Sequence, residues 1–338
     1  MIDPIALTRQ LIDIPSTTEQ EAAVGEFLDR ELARLGFSCR RYPVTDTRFN
    51  LFASAGGRPR VVINSHLDTV PPWFGSREDG DFVYGRGACD TKGVYAAMIA
   101  AGERLRQRGV SDFAFLFVVG EETDSIGAKT AASQLAGLGS EFVVVGEPTE
   151  SVFARASKGA FTCTVRFEGV AGHSAYPERG DSAITKLVAA VSDINAAGWG
   201  TDDVLGETTV NVGVIRGGVK PNVIAGEAEA EMIFRVVTDL DDVRTRLEAI
   251  VRRHGGAIVK SGGNPPQLMT VPAGVESRVV SFNTDVPHLR PLGRPLLFGP
   301  GSILDAHGPN ERISKKELLA AVTIYEEMVM SLLEGRLA

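Results

Sequence analysis

Cysteine is scarce in this chain: Cys39, Cys89 and Cys163 are the three among 338 residues. Scattered and odd in number, they speak against a disulfide framework and fit free thiols in a reducing cytosol. Basic charge is short as well. Lys and Arg number 35 against 43 Asp and Glu, a formal net charge of -8. With no basic cluster to offset it, that balance argues against a nucleic-acid-binding surface. Long apolar runs are missing, and no window approaches the roughly 18 consecutive apolar residues of a membrane span. The N-terminal stretch MIDPIALTRQLIDIPS has no basic segment leading into an uninterrupted apolar one. We therefore expect no signal peptide, no membrane partner and a cytoplasmic protein. Internal repeats and low-complexity tracts are absent too. What remains, 43% hydrophobic and 23% charged, is the make-up of an ordinary globular protein. Its length exceeds what one small core needs and predicts two domains.

Apolar spacing predicts helix from residue 3 to 35, divided near Pro15. Strands and helices then alternate to residue 150: RVVINSH, VYAAMIAAGERLRQRG, FAFLFVV, AKTAASQLAGLG and EFVVVGE. Apolar runs without polar alternation predict strands covered on both faces, as in a mostly parallel α/β sheet. Near residue 157 the pattern changes. GAFTCTVRFEG, DSAITKLVAAVSDINAAG, TTVNVGVIRGG, GEAEAEMIFRVVT, LDDVRTRLEAIVRRHGG and AIVKSGG follow in the order β-α-β-β-α-β. That is the ferredoxin-like α+β unit, a compact domain of roughly a hundred residues. SGGNPP reads as a hinge out of it. RVVSFNTDV and RPLLFGPGS resume the strands, and KKELLAAVTIYEEMVMSLLEG closes the chain as a helix. Residues 157–263 are thus expected to be an insertion into an α/β domain built from residues 1–156 and 264–338.

Candidate chemistry gathers where strands end. His66 and Asp68 follow RVVINS, Glu121 and Glu122 follow FLFVVG, Glu147 follows EFVVVG, and His307 comes after PLLFGPGS. Asp90 lies in the glycine-rich loop YGRGACDTKG before a helix. Ligands bind at the carboxyl ends of strands in open α/β sheets, and this nitrogen and oxygen set suits zinc or a similar divalent ion. Each piece also has a plainer reading. The His66-x-Asp68 pair could be a local hydrogen bond, Asp90 a helix cap, Glu147 a solvated loop carboxylate and His307 a surface histidine. GRGACD lacks the third glycine and the preceding apolar strand of a dinucleotide-binding turn. The pieces gain weight together, in a chain with five histidines.

SHLDTVPP, YGRGACDTKG, GEETDSIGAK, GEPTE, AGHSAYPERGDSAI, KPNVI and GPGSILDAHGPNERI resemble, in order, the signatures of one family. It comprises acetylornithine deacetylases, succinyl-diaminopimelate desuccinylases and carboxypeptidase G-type enzymes, co-catalytic zinc amidohydrolases of metallopeptidase clan MH. The resemblance covers almost the whole chain. It implies a zinc-peptidase catalytic domain with a ferredoxin-like lid that often serves for dimerisation, hence a homodimer. It also implies two divalent metal ions, zinc or cobalt. Asp90 would bridge them, His66 and Glu147 completing one ion and Glu122 and His307 the other. Asp68 would orient His66, and Glu121 would be the general base for a water bridging the metals. A cis peptide after Asp90 is implied as well. His173 matches a lid histidine that stabilises the oxyanion, while Asn222 and Arg235 match positions near the substrate. Thr91 and Val94 stand where many relatives read Met and Gly, and neither is a ligand.

The implied reaction is hydrolysis of an N-acyl amino acid. The closing motif GPGSILDAHGPNE, with Gly308 as an extra residue, is closer to acetylornithine deacetylases, so N-acetyl-ornithine or a related N-acetyl basic amino acid is the expected substrate. Desuccinylase and dipeptidase or carboxypeptidase activities are the alternatives. An aminopeptidase of the same clan and a non-catalytic metal-binding scaffold are the rivals.

Overall fold

Val61–His66, Phe113–Val118 and Phe142–Val145 are buried at every residue, as strands covered on both faces must be. The computed structural model describes residues 1–336. Its two main sheets are formed by β1 (Ser38–Pro43), β2 (Phe49–Ser54), β3 (Val61–His66), β4 (Phe113–Val118), β5 (Phe142–Val145), β6 (Gly159–Glu168), β7 (Thr209–Gly217), β8 (Glu227–Val236), β9 (Gly256–Asn264) and β10 (Arg294–Leu297). The chain divides into two compact units. One takes Met1–Arg155, Met269–Arg278 and the chain from Thr284 onward; the other takes Ala156–Leu268 and Val279–Asn283.

In the first unit the strands run in the order β1-β2-β4-β3-β5-β10. β4, β3, β5 and β10 are mutually parallel, while β2 and β1 continue the sheet antiparallel. Helices α1 (Pro4–Ile12), α2 (Ala22–Arg34) and α3 (Gly93–Gln107) belong to this unit, with the later α4 (Ile126–Gln134), α7 (Val286–Leu289) and α8 (Lys315–Leu333). Asp3 caps α1, accepting from the Ile5 and Ala6 N–H groups, and Ser314 caps α8, accepting from Glu317 N–H. One face of β4 carries Phe113, Phe115 and Phe117 in a ladder 5.7–5.8 Å between centroids. α3 meets that ladder with Tyr95, edge-on to Phe117 at 5.4 Å between centroids, and with Gly102, which lies against Phe115 and Phe113. At Gly102 a Cβ would stand 2.4 Å from Phe115 Cζ, so only glycine lets this helix approach so closely.

The second unit is an antiparallel sheet, β7-β8-β6-β9, packed on α5 (Ala183–Ala196) and α6 (Leu240–Arg253). Alternation along β8 turns Ala228, Ala230, Met232, Phe234 and Val236 inward, against Leu187, Ala190 and Ile194 of α5 and Val243, Leu247 and Val251 of α6. The order is that of the ferredoxin-like unit expected from the sequence.

Two local expectations are corrected. Ser261, Gly262 and Gly263 are no hinge: β9 runs to Asn264, pairing Ser261 with Cys163 and Gly263 with Phe161. RVVSFNTDV is a strand only at its start. The strand Ser277–Val280 stops, and Asp285 then precedes α7, whose Val286 N–H is capped by the Thr284 hydroxyl. Pro287, which lacks the N–H a strand would pair, suits that first helical turn.

Candidate metal and catalytic site

The parallel strands of the first unit bring the predicted residues to one end of the sheet. β3 ends on His66, β4 leads through Val119 and Gly120 to Glu121 and Glu122, and β5 leads to Glu147. Asp90 sits in the irregular turn Ala88–Lys92 ahead of α3, and its peptide bond to Thr91 is cis, as the resemblance implies.

Asp90 is the centre of the cluster. Its Oδ1 lies 3.0 Å from His66 Nε2 and its Oδ2 3.2 Å from His307 Nε2. His307 Nε2 is also 3.1 Å from Glu122 Oε2, and His66 Nε2 is 4.0 Å from Glu147 Oε2. His66, Asp90 and Glu122 form one group with donor atoms all within 4.8 Å of each other; His66, Glu121 and Glu147 form a second. The adjacent glutamates therefore face different partners, Glu122 toward His307 and Glu121 toward Glu147. His66, Asp90 and Glu147 are buried, Glu121 and Glu122 half-buried, and His307 is exposed.

The electrostatics are those of a site short of positive charge. Burial raises Glu121 well above the usual carboxylate range, and neighbouring Glu147 raises it further. Burial does the same to Glu147, with Asp90 adding to it. Glu122 is raised by burial while the His307 bond pulls it back. His307 is pushed up to about 10 by its bonds to Asp90 and Glu122. Burial works against charging His66, yet Asp68, Asp90 and Glu147 overrule it and raise the ring. Asp90 is held low: burial opposes its charge, but both histidines favour it more. Among the described residues no lysine or arginine forms an ion pair with Asp68, Asp90, Glu121, Glu122 or Glu147. Crowded carboxylates with two imidazoles and no basic partner are a donor set that fits divalent cations.

Asp68 is placed differently from expectation. His66 Nδ1 meets the main-chain oxygen of Asp68 at 2.9 Å, whereas the carboxylate Oδ1 is 3.6 Å away, beyond hydrogen-bond length. The carboxylate spends its short bonds on the next loop. Oδ1 accepts from Gly120 and Glu121 N–H at 2.9 and 3.1 Å, and Oδ2 from Glu122 N–H at 3.2 Å and the Thr18 hydroxyl at 2.9 Å. Asp68 thus meets His66 through its main-chain oxygen and the loop of the two glutamates through its side chain.

The other three predicted residues lie in the second unit. His173 and Asn222 come together: Gly172 and His173 pair with Ile224 and Val223, and Ser174 N–H donates to Asn222 O at 3.1 Å. His173 Nδ1 accepts from Ala175 N–H at 3.1 Å, which leaves the neutral ring's proton on Nε2 as a donor. Arg235 stands apart on β8, half-buried between Thr209 and Ala160. Burial lowers its pKa, and no carboxylate among the described residues pairs with it.

Sequence reasoning passed over Asp285, Arg86 and Glu311. Asp285 is 1% exposed, with neither carboxylate oxygen hydrogen-bonded at normal distance. Burial raises it to about 6, and its charge in turn raises Glu121 and Glu147. The dipeptide Thr284–Asp285 ahead of Val-Pro was the available signal, a helix cap inside an apparent strand. Arg86 and Glu311 lie inside the quoted motifs YGRGACDTKG and GPNERI, where charge of opposite sign was the only hint of a pair.

Comparison with known proteins follows the same division. A family model described as the peptidase dimerisation domain matches residues 155–259. A peptidase M20 domain-containing protein of Schizosaccharomyces pombe is 36% identical over 337 residues, covering 96% of this chain and 84% of its own length. A protein of Aspergillus clavatus, named "Probable carboxypeptidase", is 32% identical over 366 residues, 96% of this chain and 88% of its own. Among solved structures, an M20 family metallo-carboxypeptidase of Sulfolobus solfataricus shares the fold with TM-score 0.80 at 16% identity, covering 97% of this chain and 99% of that one.

Proposed function

The chain belongs to the M20 peptidase family, and on that premise we propose that it hydrolyses an amide bond next to a free α-carboxylate, as a carboxypeptidase or dipeptidase. It is a metal-dependent hydrolase, and the proposal concerns its substrate, its ligand roles and its base. The observation that carries it is Asp90, whose two oxygens each face one histidine amid carboxylates that have no lysine or arginine ion pair among the described residues. His66 and Glu147 would hold one divalent ion, His307 and Glu122 the other, with Asp90 between them and zinc the first candidate. What such ions supply when bound is Lewis acidity, polarising the scissile carbonyl and easing the ionisation of water near neutrality.

The chain's own groups do the rest. Glu121, raised by burial and by Glu147, takes a proton from the attacking water and returns it to the departing amine. Asp68 holds Glu121 and Glu122 at their separate tasks by accepting their N–H groups. His173 offers Nε2–H to the oxyanion of the tetrahedral intermediate. Arg235, half-buried and without a carboxylate partner among the described residues, clamps the substrate carboxylate with its planar fork. Asn222, beside His173, supplies a further polar contact to the substrate. The second unit, matched by a dimerisation model, supports a homodimer.

Carboxypeptidase chemistry is favoured over N-acetyl-ornithine deacetylation by the name of the Aspergillus clavatus relative, whereas the deacetylase reading rests chiefly on the closing motif. Release of free amine from dipeptides, N-acetyl-ornithine, N-acetyl-citrulline and N-succinyl-diaminopimelate, with zinc- or cobalt-loaded protein, decides between them. Turnover of peptides with a free C-terminus and none of the acetyl amino acids is expected. Amidating that C-terminus should abolish turnover. Preference for N-acetyl-ornithine would replace the proposal with the deacetylase.

A further inference from the structure

Arg86 and Glu311 form an ion pair at 2.7 Å with 2% and 0% of their surfaces exposed. Burying two charges costs several kcal/mol per ion before attraction repays it, so such a pair is weak evidence of added stability. Its other bonds show where it acts. Glu311 Oε1 accepts from Cys89 N–H and Asp90 N–H, both at 3.2 Å. Arg86 donates through Nη2 to His307 O at 3.4 Å and through Nε to Pro72 O at 3.2 Å. Glu311 therefore holds the main chain at Asp90, and Arg86 the main chain at His307. His307 has φ +60, a left-handed conformation that a residue with a side chain adopts at a cost.

We propose that Arg86 and Glu311 are a positioning pair, which sets the separation between Asp90 and His307 and so shapes the half of the metal site that they share with Glu122. The proposal rests on the metal-site reading above. Neither side chain is a ligand; both act through the backbone of residues that are. An apolar pair of similar volume would fill the space equally well and tie down neither loop, which is the basis of the test.

Two variants serve. Arg86→Met with Glu311→Leu removes both charges together and keeps the packing; Arg86→Lys keeps the charge but cannot reach Glu311, His307 and Pro72 at once. The first readout needs no metal: histidine-ring NMR of the metal-free protein, which has five histidines. His307 resonances should shift while those of His254, in the second unit, stay. The second is titration with cobalt(II), followed by calorimetry and visible absorption. One of two binding steps should weaken by about 10–100-fold with altered absorption bands, the size expected when a residue supporting a metal ligand is lost. Folded variants that show unchanged His307 resonances, or bind both ions like the parent with identical spectra, overturn the proposal. If the parent itself fails to bind two cobalt ions, the metal reading falls, and the His307 resonances alone decide the positioning role. If the double variant fails to fold, Arg86→Lys carries both readouts.

Discussion

Glu121 and Glu122 adjoin in sequence yet differ in surroundings, and that difference makes their roles separable. Glu121 lies with His66 and Glu147, and Glu122 with His66, Asp90 and His307. Glu121→Gln keeps the shape and removes the base. It should lower kcat by about 10²–10⁴-fold, the usual worth of a positioned acid–base group, with metal content unchanged by elemental analysis. Glu122→Gln should instead lose bound metal; the opposite pair of results would exchange the two roles. Arg235→Lys should raise KM for free-carboxylate substrates with kcat nearly kept, because an ammonium cannot reproduce the two-pronged contact. Equal loss with amidated substrates would remove Arg235 from carboxylate recognition. That Glu121 and Glu122 would gather with His66, Asp90, Glu147 and His307 was legible because charged residues and histidines stand out where apolar strands end. Asp285 was not, since an Asp beside a Val-Pro turn reads the same in sequence whether it faces water or is buried where its charge reaches Glu121.

At the scale of elements, close approach rather than propensity decides which helix can lie where. α3 reaches the phenylalanine ladder of β4 only because position 102 has no side chain. Gly102→Ala improves intrinsic helix propensity by about 1 kcal/mol, yet the added methyl has to displace the Phe115 ring. The clash should win, with net destabilisation of about 1–3 kcal/mol by urea unfolding; a stabilised variant would mean that the ladder yields. Sequence reading found β3, β4 and β5, whose apolar runs are unbroken. It did not single out β1, whose Ser38–Pro43 is exposed or half-buried throughout. An antiparallel edge strand makes its bonds through main chain that every sequence possesses, so no side-chain pattern announces it.

At the scale of the molecule, the site's excess of negative charge links metal, pH and stability. Glu121, Glu122 and Glu147 have folded pKa values above the ordinary 4.5, and His307 is near 10 against 6.5. Each of these groups binds its proton more tightly when folded, so its stabilisation is complete below the unfolded pKa and lost as pH rises through the folded one. Metal-free protein should therefore lose stability as pH climbs from about 5 through neutrality toward 10, by denaturant midpoint, since the carboxylates begin to ionise there. Saturating zinc should reverse the slope near neutrality, since metal binds the deprotonated ligands. A flat profile without metal would contradict the charge balance described here. Homodimerisation has a separate test. Val188 on α5 and Ile215 on β7 are 59% and 56% exposed, so Val188→Asp with Ile215→Lys should give monomers by light scattering with the second unit still folded.

The sequence by itself determined the alternation of elements, the ferredoxin-like order of the second unit, and the residue types that end each strand. Those follow from local periodicity and from the rule that parallel strands expose their carboxyl ends together. Tertiary structure alone decided which atoms meet. Asp68 turned its carboxylate to three backbone N–H groups instead of to His66, and Arg86 found Glu311 across more than two hundred residues of chain. Hydrogen-bond partners of that kind are fixed by distances of tenths of an ångström between segments remote in sequence, and no spacing along a chain encodes them.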